Sequence, residues 1–395
     1  MGDEDSNSEK KQFVEQQSYL SDDLIIQEIL TRLPIKSILR FRSVSKQWYS
    51  TLSSSDFANA HLIKSPLAYP SAPVNTLFII DRNNCCYLFS YEDDQISCNF
   101  EDYLVRLDPE FGFENDTLQL TGSCNGLVCL NPISDKYFIL WNPATHKMHK
   151  YETDVHLRRI ESIDDDDVSK IRRVICGFWY ASFVDDYKFI RILKRSLFNG
   201  DTNCIVHIFS LRENKWTRSD FDYGHDFLVT GHAMLTNERL YWPASVLSPG
   251  HRNIILSFDL GVEKFDVIKL ERKDWLGVMG GCLSKCVSDS ANKDAMLMHI
   301  YESPGVILKS IDFPKTLTLG MTSQMVGFTR TGKCFVTAAF TDGVIDFQNR
   351  MLGVVDTGTK VLQYTTLLRF DMMIGIAGYF PSLVSPFPIK ELSTA

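Results

Sequence analysis

The 395-residue sequence has little of what membrane and secreted proteins need. No run reaches the roughly 20 apolar residues that span a bilayer, and the best stretch, residues 372–387, is interrupted by Pro381 and Pro386. The first residues, MGDEDSNSEK, lack the apolar core of a signal peptide. These absences predict a soluble protein of the cytoplasm, the nucleus or both, with no membrane partner.

The 10 cysteines include no CxxC pair. The pairs Cys124/Cys129 and Cys282/Cys286 have no matching pair of histidines, and His146 and His149 have no further candidate ligands. A chain this long can bury a core without disulfides. We therefore expect free, buried thiols, with no metal and no other cofactor.

Positive charge is also limited, since 41 Lys and Arg face 49 Asp and Glu, which gives a net charge of −8. Nucleic-acid binders need clustered Lys and Arg for phosphate contacts, so no nucleic-acid partner is expected. The hydrophobic fraction of 44% and charged fraction of 23% are those of a globular protein. The length exceeds that of one compact core and predicts two units.

Two segments imitate catalytic motifs. Residues 327–334 nearly form a phosphate-binding P-loop, but Cys334 stands where that loop needs Ser or Thr, and a strand pattern follows in place of a helix. Residues 122–126 imitate a nucleophile elbow around Cys124, yet a strand pattern again follows, so Asn125-Gly126 is predicted to be a hairpin turn. Without a convergent set of acid, base or metal ligands, we expect no enzyme activity.

Helical signals are concentrated in residues 20–52, after a polar tail at 1–19 that we expect to be disordered. Ser21 is a good N-cap, apolar residues follow at helical spacing, and Pro34 ends this first helix. A second helix is predicted over Ile35–Phe41 and a third from Ser45. Three helices bury too little apolar surface alone, so they either dock on the rest of the chain or receive a partner.

From residue 76 onward, short strand-like runs alternate with Gly, Asn, Asp and Pro, which predicts a sandwich, barrel or propeller. Residues 140–148, 208–216 and 257–265 share one pattern: an apolar strand, a polar turn, then Lys and a further strand. A shorter copy lies at 354–361. The second and third copies are about 50 residues apart, which favours a β-propeller-like, kelch-like domain.

The helical segment LSDDLIIQEILTRLPIKSILRFRSVSKQWYS, residues 20–50, resembles the F-box, particularly its plant form. One departure is Ser21, where the family usually has Pro. The resemblance implies a surface that binds a Skp-type adaptor, formed or supported by Leu20, Leu24, Ile25, Ile29, Leu33, Pro34, Leu39 and Trp48.

Later segments resemble the plant F-box-associated domain. They include GSCNGLVCL at 122–130, LWNPATHKMHKY at 140–151, VHIFSLRENKWTRS at 206–219 and GYFPSLVSPF at 378–387. Residues 289–315 match this family poorly, and a charged run interrupts it at 161–173. The expected fold is therefore a small three-helix F-box followed by an all-β, β-propeller-like domain.

The expected division is a tail at 1–19, the F-box at 20–66, a linker at 67–76 and the β-domain at 77–395, closed by a strand that includes residues 378–387. The resemblance implies a non-catalytic substrate receptor that joins an adaptor, and through it a cullin, to an unidentified target protein. Two alternatives stay open: an F-box protein acting outside the cullin complex, and a propeller enzyme that carries the helices as decoration.

Overall fold

The structure, a computed structural model, describes somewhat under two thirds of the chain. The described residues are 20–64, 76–81, 83–90, 104–107, 116–153, 171–196, 202–222, 227–229, 233–236, 238–246, 253–269, 275–279, 282–288, 295–303, 306–314, 324–328, 333–339, 350–356, 361–364 and 373–387. The predicted tail and most of the predicted linker and charged run lie outside them. Among the described residues, no helix has both the length and the apolar character to cross a membrane.

The N-terminal region is helical, as the sequence predicts. The first helix starts as α1 (Asp22–Leu24), widens into a π-helical stretch (Ile25–Ile29) and tightens into a 3-10 turn (Leu30–Arg32). It is followed by α2 (Ile35–Phe41), α3 (Lys46–Leu52) and α4 (Ser55–Lys64). The Ser21 hydroxyl accepts a hydrogen bond from the Leu24 amide, so this residue caps the helix as predicted.

The prediction of three helices is wrong by one. The Ser/Asp cluster at 53–56 looks like the end of the third helix, but it also supplies the start of α4. The Ser54 hydroxyl accepts from the Phe57 amide and so acts as an N-cap. Ser and Asp favour both turns and helix starts, and the sequence alone does not separate the two.

All remaining elements are β-strands. In chain order they are β1 (Thr76–Asp81), β2 (Cys86–Ser90), β3 (Leu104–Leu107), β4 (Leu118–Cys124), β5 (Leu127–Pro132), β6 (Tyr137–Asn142), β7 (Lys147–Glu152), β8 (Ile171–Ala181), β9 (Asp186–Ser196), β10 (Thr202–Ser210), β11 (Lys215–Asp222), β12 (Phe227–Val229), β13 (Met234–Thr236), β14 (Arg239–Val246), β15 (Asn253–Asp259), β16 (Lys264–Lys269), β17 (Trp275–Met279), β18 (Cys282–Ser288), β19 (Ala295–Ser303), β20 (Val306–Pro314), β21 (Gln324–Phe328), β22 (Lys333–Ala339), β23 (Arg350–Asp356), β24 (Val361–Tyr364) and β25 (Met373–Gly378).

In the described part of the chain, these strands form six antiparallel sheets, which we number as blades in chain order. Blade 1 is β25-β1-β2-β3, and blade 2 is β4 to β7. Blade 3 is β8 to β11, and blade 4 is β12 to β16, with both β12 and β13 paired to β14. Blades 5 and 6 are β17 to β20 and β21 to β24. Contacts join the first strands of neighbouring blades, including β25 with β4, β4 with β8, β17 with β21, and β21 with β25.

Strand β25 closes the ring. It pairs antiparallel with β1, with Leu77 opposite Gly378 and Ile79 opposite Ile376, so the two ends of the β-region complete one blade. The closing strand was predicted to include residues 378–387, but the strand ends at Gly378. Pro381 and Pro386 explain the difference, since proline lacks the amide hydrogen that a ladder needs.

The predicted repeat corresponds to the outer hairpin of four blades. Copies at 140–148, 208–216, 257–265 and 354–361 join β6 to β7, β10 to β11, β15 to β16 and β23 to β24. In the first three copies the residue before Lys, namely His146, Asn214 or Glu263, has a positive φ of 50–55°. The left-handed residue reverses the chain, and the apolar residues on either side enter the strands.

Blade 5 includes the segment that resembles the family least. Residues 289–315 contain β19, which pairs with both β18 and β20, and β20 itself. Blade 5 therefore has the same four-stranded order as blades 2, 3 and 6, despite the divergent sequence of this segment.

Candidate functional site: the apolar surface of the helical region

The helical region is held by a small apolar cluster. Its buried members are Ile26, Leu30, Ile35, Ile38, Leu52, Phe57, Ala58 and Leu383. Seven of these belong to the helices, while Leu383 comes from the C-terminal end of the β-region. The helices thus dock on their own propeller, which was one of the two outcomes that the sequence left open.

Two polar side chains of this region bond to backbone carbonyls. The Arg42 guanidinium donates from Nε and Nη2 to the Leu52 carbonyl, at 3.2 and 2.8 Å. The buried His61 Nε2 lies 2.8 Å from the Leu33 carbonyl. These two contacts join α2 to the end of α3, and α4 to the end of the first helix.

An ion-pair group ties the first helix to α4. The Lys64 ammonium donates to the Gln27 carbonyl at 2.6 Å and to Glu28 Oε1 at 3.1 Å. Arg32 bonds the second oxygen of Glu28 at 3.2 Å. Hydrogen bonds from Lys64 and then Arg32 lower the pKa of Glu28 below its ordinary value.

Docking leaves much apolar surface uncovered. One group of exposed side chains comprises Leu20 (61%), Leu24 (53%), Ile29 (45%), Val44 (59%) and Tyr49 (60%). They lie along the first helix and around the start of α3. Exposed apolar groups at this density mark a partner-binding surface more often than a surface that stays in contact with water.

The predicted adaptor-binding residues divide into two groups. Leu20, Leu24, Ile29 and Pro34 are exposed. Ile25, Leu33, Leu39 and Trp48 are half-buried and pack against the apolar cluster, with the Trp48 ring meeting Phe41 edge-on at 6.0 Å. The first group is accessible to a partner, and the second group supports the first from beneath. Adaptor binding stays a prediction for both groups. Val44 and Tyr49 were not predicted as site residues, although both lie within residues 20–50, the segment that resembles the F-box.

The segment that imitates a nucleophile elbow is a hairpin turn, as predicted. Asn125 and Gly126 have φ values of 50° and 76°, and they join β4 to β5. Burial raises the pKa of the Cys124 thiol to about 12, so the side chain stays protonated at neutral pH. Such a thiol is a poor nucleophile.

The imitation of a P-loop also joins two strands. Strand β22 begins at Lys333 and pairs with β21, so a strand occupies the place of the helix that a P-loop needs. In the described ranges, no group of three or more His, Cys, Asp or Glu side chains is placed to hold a metal ion.

In blades 2 to 4, the turns between the first and second strands and those between the third and fourth strands lie on one face of the propeller, which we call the turn face. On blades 3 and 4 it exposes three apolar side chains, Phe183, Val184 and Val262. Hydrogen bonds connect these turns, from Ser182 to Glu238 at 2.7 Å and from Lys188 to Glu263 at 2.5 Å. No sequence pattern ranks these turns above others, because similar strand–turn–strand patterns recur along the β-region.

Comparison with known proteins agrees with this architecture. Residues 20–59 match the F-box domain, and residues 75–285 match the F-box associated beta propeller domain. The F-box/kelch-repeat protein At3g23880 of Arabidopsis thaliana is 28% identical over 291 residues, covering 69% of this chain and 74% of that protein. The F-box protein CPR1 of the same plant is 27% identical over 307 residues, covering 70% of this chain and 69% of that protein.

Proposed function

Because this chain belongs to the family of F-box proteins that carry an F-box associated beta propeller domain, we propose that it is the substrate-recognition subunit of a Skp–cullin–F-box ubiquitin ligase. In this proposal the helical region binds a Skp-type adaptor, the adaptor connects to a cullin, and the propeller binds a target protein. It acts in the cytoplasm, the nucleus or both.

The observation that supports adaptor binding most is the apolar surface left open on the helical region. The exposed Leu20, Leu24 and Ile29 lie within the segment that matches the F-box domain. Their burial by an adaptor would remove apolar area from water, which is the main favourable term in protein association.

The ligase role assigned to this chain is positional. A receptor of this type raises the effective concentration of target lysines near a conjugating enzyme that carries ubiquitin, and it supplies no acid, base or nucleophile. The half-buried, protonated Cys124 and the pairing of β21 with β22 support a receptor without catalytic groups of its own.

The target would contact the turn face of the propeller. Supporting this placement, Phe183, Val184 and Val262 present an apolar centre, and exposed charged groups of the same turns, such as Glu213 and Lys264, surround it. An apolar centre with a polar rim is typical of protein-binding surfaces.

A second candidate is an F-box protein that holds the adaptor outside the cullin complex. The presence of Ser21, where the family usually has Pro, favours it, because serine offers less apolar contact to an adaptor than proline.

Affinity purification of the tagged full chain from plant cells, with Leu24→Asp in parallel, separates the candidates. Recovery of a Skp-type adaptor together with a cullin supports the ligase subunit. Recovery of the adaptor without the cullin supports the second candidate. Recovery of neither, from folded protein, would refute both and favour the remaining alternative of a propeller enzyme.

A further inference from the structure

Residues 379–387, which we call the C-terminal strap, follow the closing strand without joining a sheet. Ser382, Leu383, Val384 and Pro386 are buried. The strap is therefore enclosed by other parts of the chain and does not lie on the surface as a tail.

The strap enters two hydrophobic cores at once. Leu383 is buried in the apolar cluster of the helices. Val384 is buried in a separate cluster formed by blades 2 and 3, against which Leu62 of α4 also packs. Successive side chains of an extended segment point to opposite sides. The strap thus lies between the helical region and the propeller and contributes to both.

Polar contacts fix the strap to blade 2. The fully buried Asn142 amide donates to the Ser382 carbonyl at 3.0 Å and to the Val384 carbonyl at 2.8 Å. The Tyr151 hydroxyl donates to the Pro386 carbonyl at 2.8 Å. Buried backbone carbonyls need such partners, so these donors determine where the strap can lie.

The same Asn142 side chain organises the turn that faces the helices. Its Oδ1 accepts from the amides of Ala144 and Thr145, at 3.0 and 3.2 Å. Ala144 packs against the apolar cluster of the helical region. One amide group therefore holds the turn beneath the helices and the strap beside them.

The first hairpin of blade 2 also contacts the strap. The Ser382 hydroxyl donates to the Asn125 carbonyl at 2.6 Å. A Cβ on Gly126 would lie 2.3 Å from the Ser382 hydroxyl oxygen, so the strap passes directly over this glycine. The Asn125 amide also donates to the Tyr187 hydroxyl of blade 3 at 3.0 Å.

We infer that Asn142 and the C-terminal strap are positioning elements that hold the helical region in one orientation on the turn face. For its consequence in a ligase, the inference rests on the proposed function. The adaptor surface and the apolar centre of blades 3 and 4 then keep a constant separation, which is what catalysis by proximity requires.

The inference is tested by single-molecule energy transfer within the full chain. Donor and acceptor dyes are attached through encoded azido amino acids at Asn59 of α4 and Lys269 of β16, both exposed. The native protein should give one narrow distance distribution. Leu383→Asp should broaden it, because a carboxylate would leave the helical cluster.

Asn142→Asp provides an independent variant. A carboxylate keeps the two acceptor bonds to Ala144 and Thr145 but cannot donate to the strap carbonyls. It too should broaden the distribution. Ser385→Asp is the matched control, because Ser385 is exposed in the same segment. Leu383→Met keeps an apolar side chain in the helical cluster and should keep the narrow distribution.

Two further measurements keep the outcomes distinct. Hydrogen exchange of blades 3 and 4 should be unchanged in Asn142→Asp, which separates release of the helices from unfolding of the propeller. If both variants keep the narrow distribution, the inference is overturned. If the distribution broadens but the native chain fails to bind a purified Skp-type adaptor, the positioning role stands and the proposed function falls.

Discussion

Single residues of the helical region divide by exposure into those that hold the helices together and those that they present. Ile38 and Leu52 are fully buried, while Leu20 and Leu24 are more than half exposed. Both groups are aliphatic and both lie at helical spacing. The sequence therefore predicts a helical surface, but it does not separate its inward residues from its outward ones.

At the same scale, the reactivity of Cys124 distinguishes a turn from a catalytic elbow. With a pKa of about 12, about one thiol in ten thousand is ionised at pH 8. We expect iodoacetamide to leave Cys124 unmodified in the native protein at pH 8, with labelling that rises only as the pH approaches 12. Peptide mass spectrometry measures this, and protein unfolded in urea gives the reference rate. Rapid labelling of the native thiol at pH 8 would reopen the catalytic interpretation.

Among elements, the sequence predicts those whose contacts join residues close together in the sequence. Helix α2 spans the predicted residues Ile35–Phe41, and the repeat correctly marks outer hairpins of four blades. Two elements were missed in part. Helix α4 starts in a cluster that also suits a turn, and the strap depends on Asn142, which lies 240 residues from Ser382. No local pattern encodes a contact over that distance.

A glycine pair tests the strap as an element. Gly126→Ala should destabilise the protein by about 1–3 kcal/mol, because φ is +76° and the added Cβ would collide with Ser382. Gly261→Ala is the control, since its nearest neighbour is the Asp259 carboxylate at 3.4 Å, and it should change stability by no more than about 0.5 kcal/mol. Urea unfolding of both variants checks the difference. Equal free energies of unfolding for the two variants would mean that the strap moves aside without loss of stability.

At the scale of the whole molecule, the helices and the β-region share a hydrophobic cluster. The expected division placed the helical unit in residues 20–66, yet its apolar cluster includes Leu383. We expect a fragment of residues 1–66 to be less ordered alone than within the full chain. Amide exchange of the fragment, with and without adaptor, measures that loss.

Closure of the ring gives a second prediction at this scale. Removal of residues 373–395 deletes β25 and the strap, which leaves β1 without one partner. The Tm should fall by at least about 5 °C, or the transition should lose cooperativity. Removal of residues 388–395 alone is the control and should leave the Tm unchanged. Equal melting of both truncations would contradict closure by β25.

The central claim is that the exposed side of the helical region binds a Skp-type adaptor, and titration of purified full-length chain with purified adaptor tests it most directly. Leu24→Asp places a charge on a side chain that is already 53% exposed, so the helices stay folded. Gln27→Asp adds the same charge at another exposed position of the first helix and serves as the control. We predict that Leu24→Asp weakens adaptor binding by at least about 30-fold, equivalent to about 2 kcal/mol, while the control changes it by less than about threefold. Equal affinity of the native chain and the Leu24→Asp variant would contradict the claim.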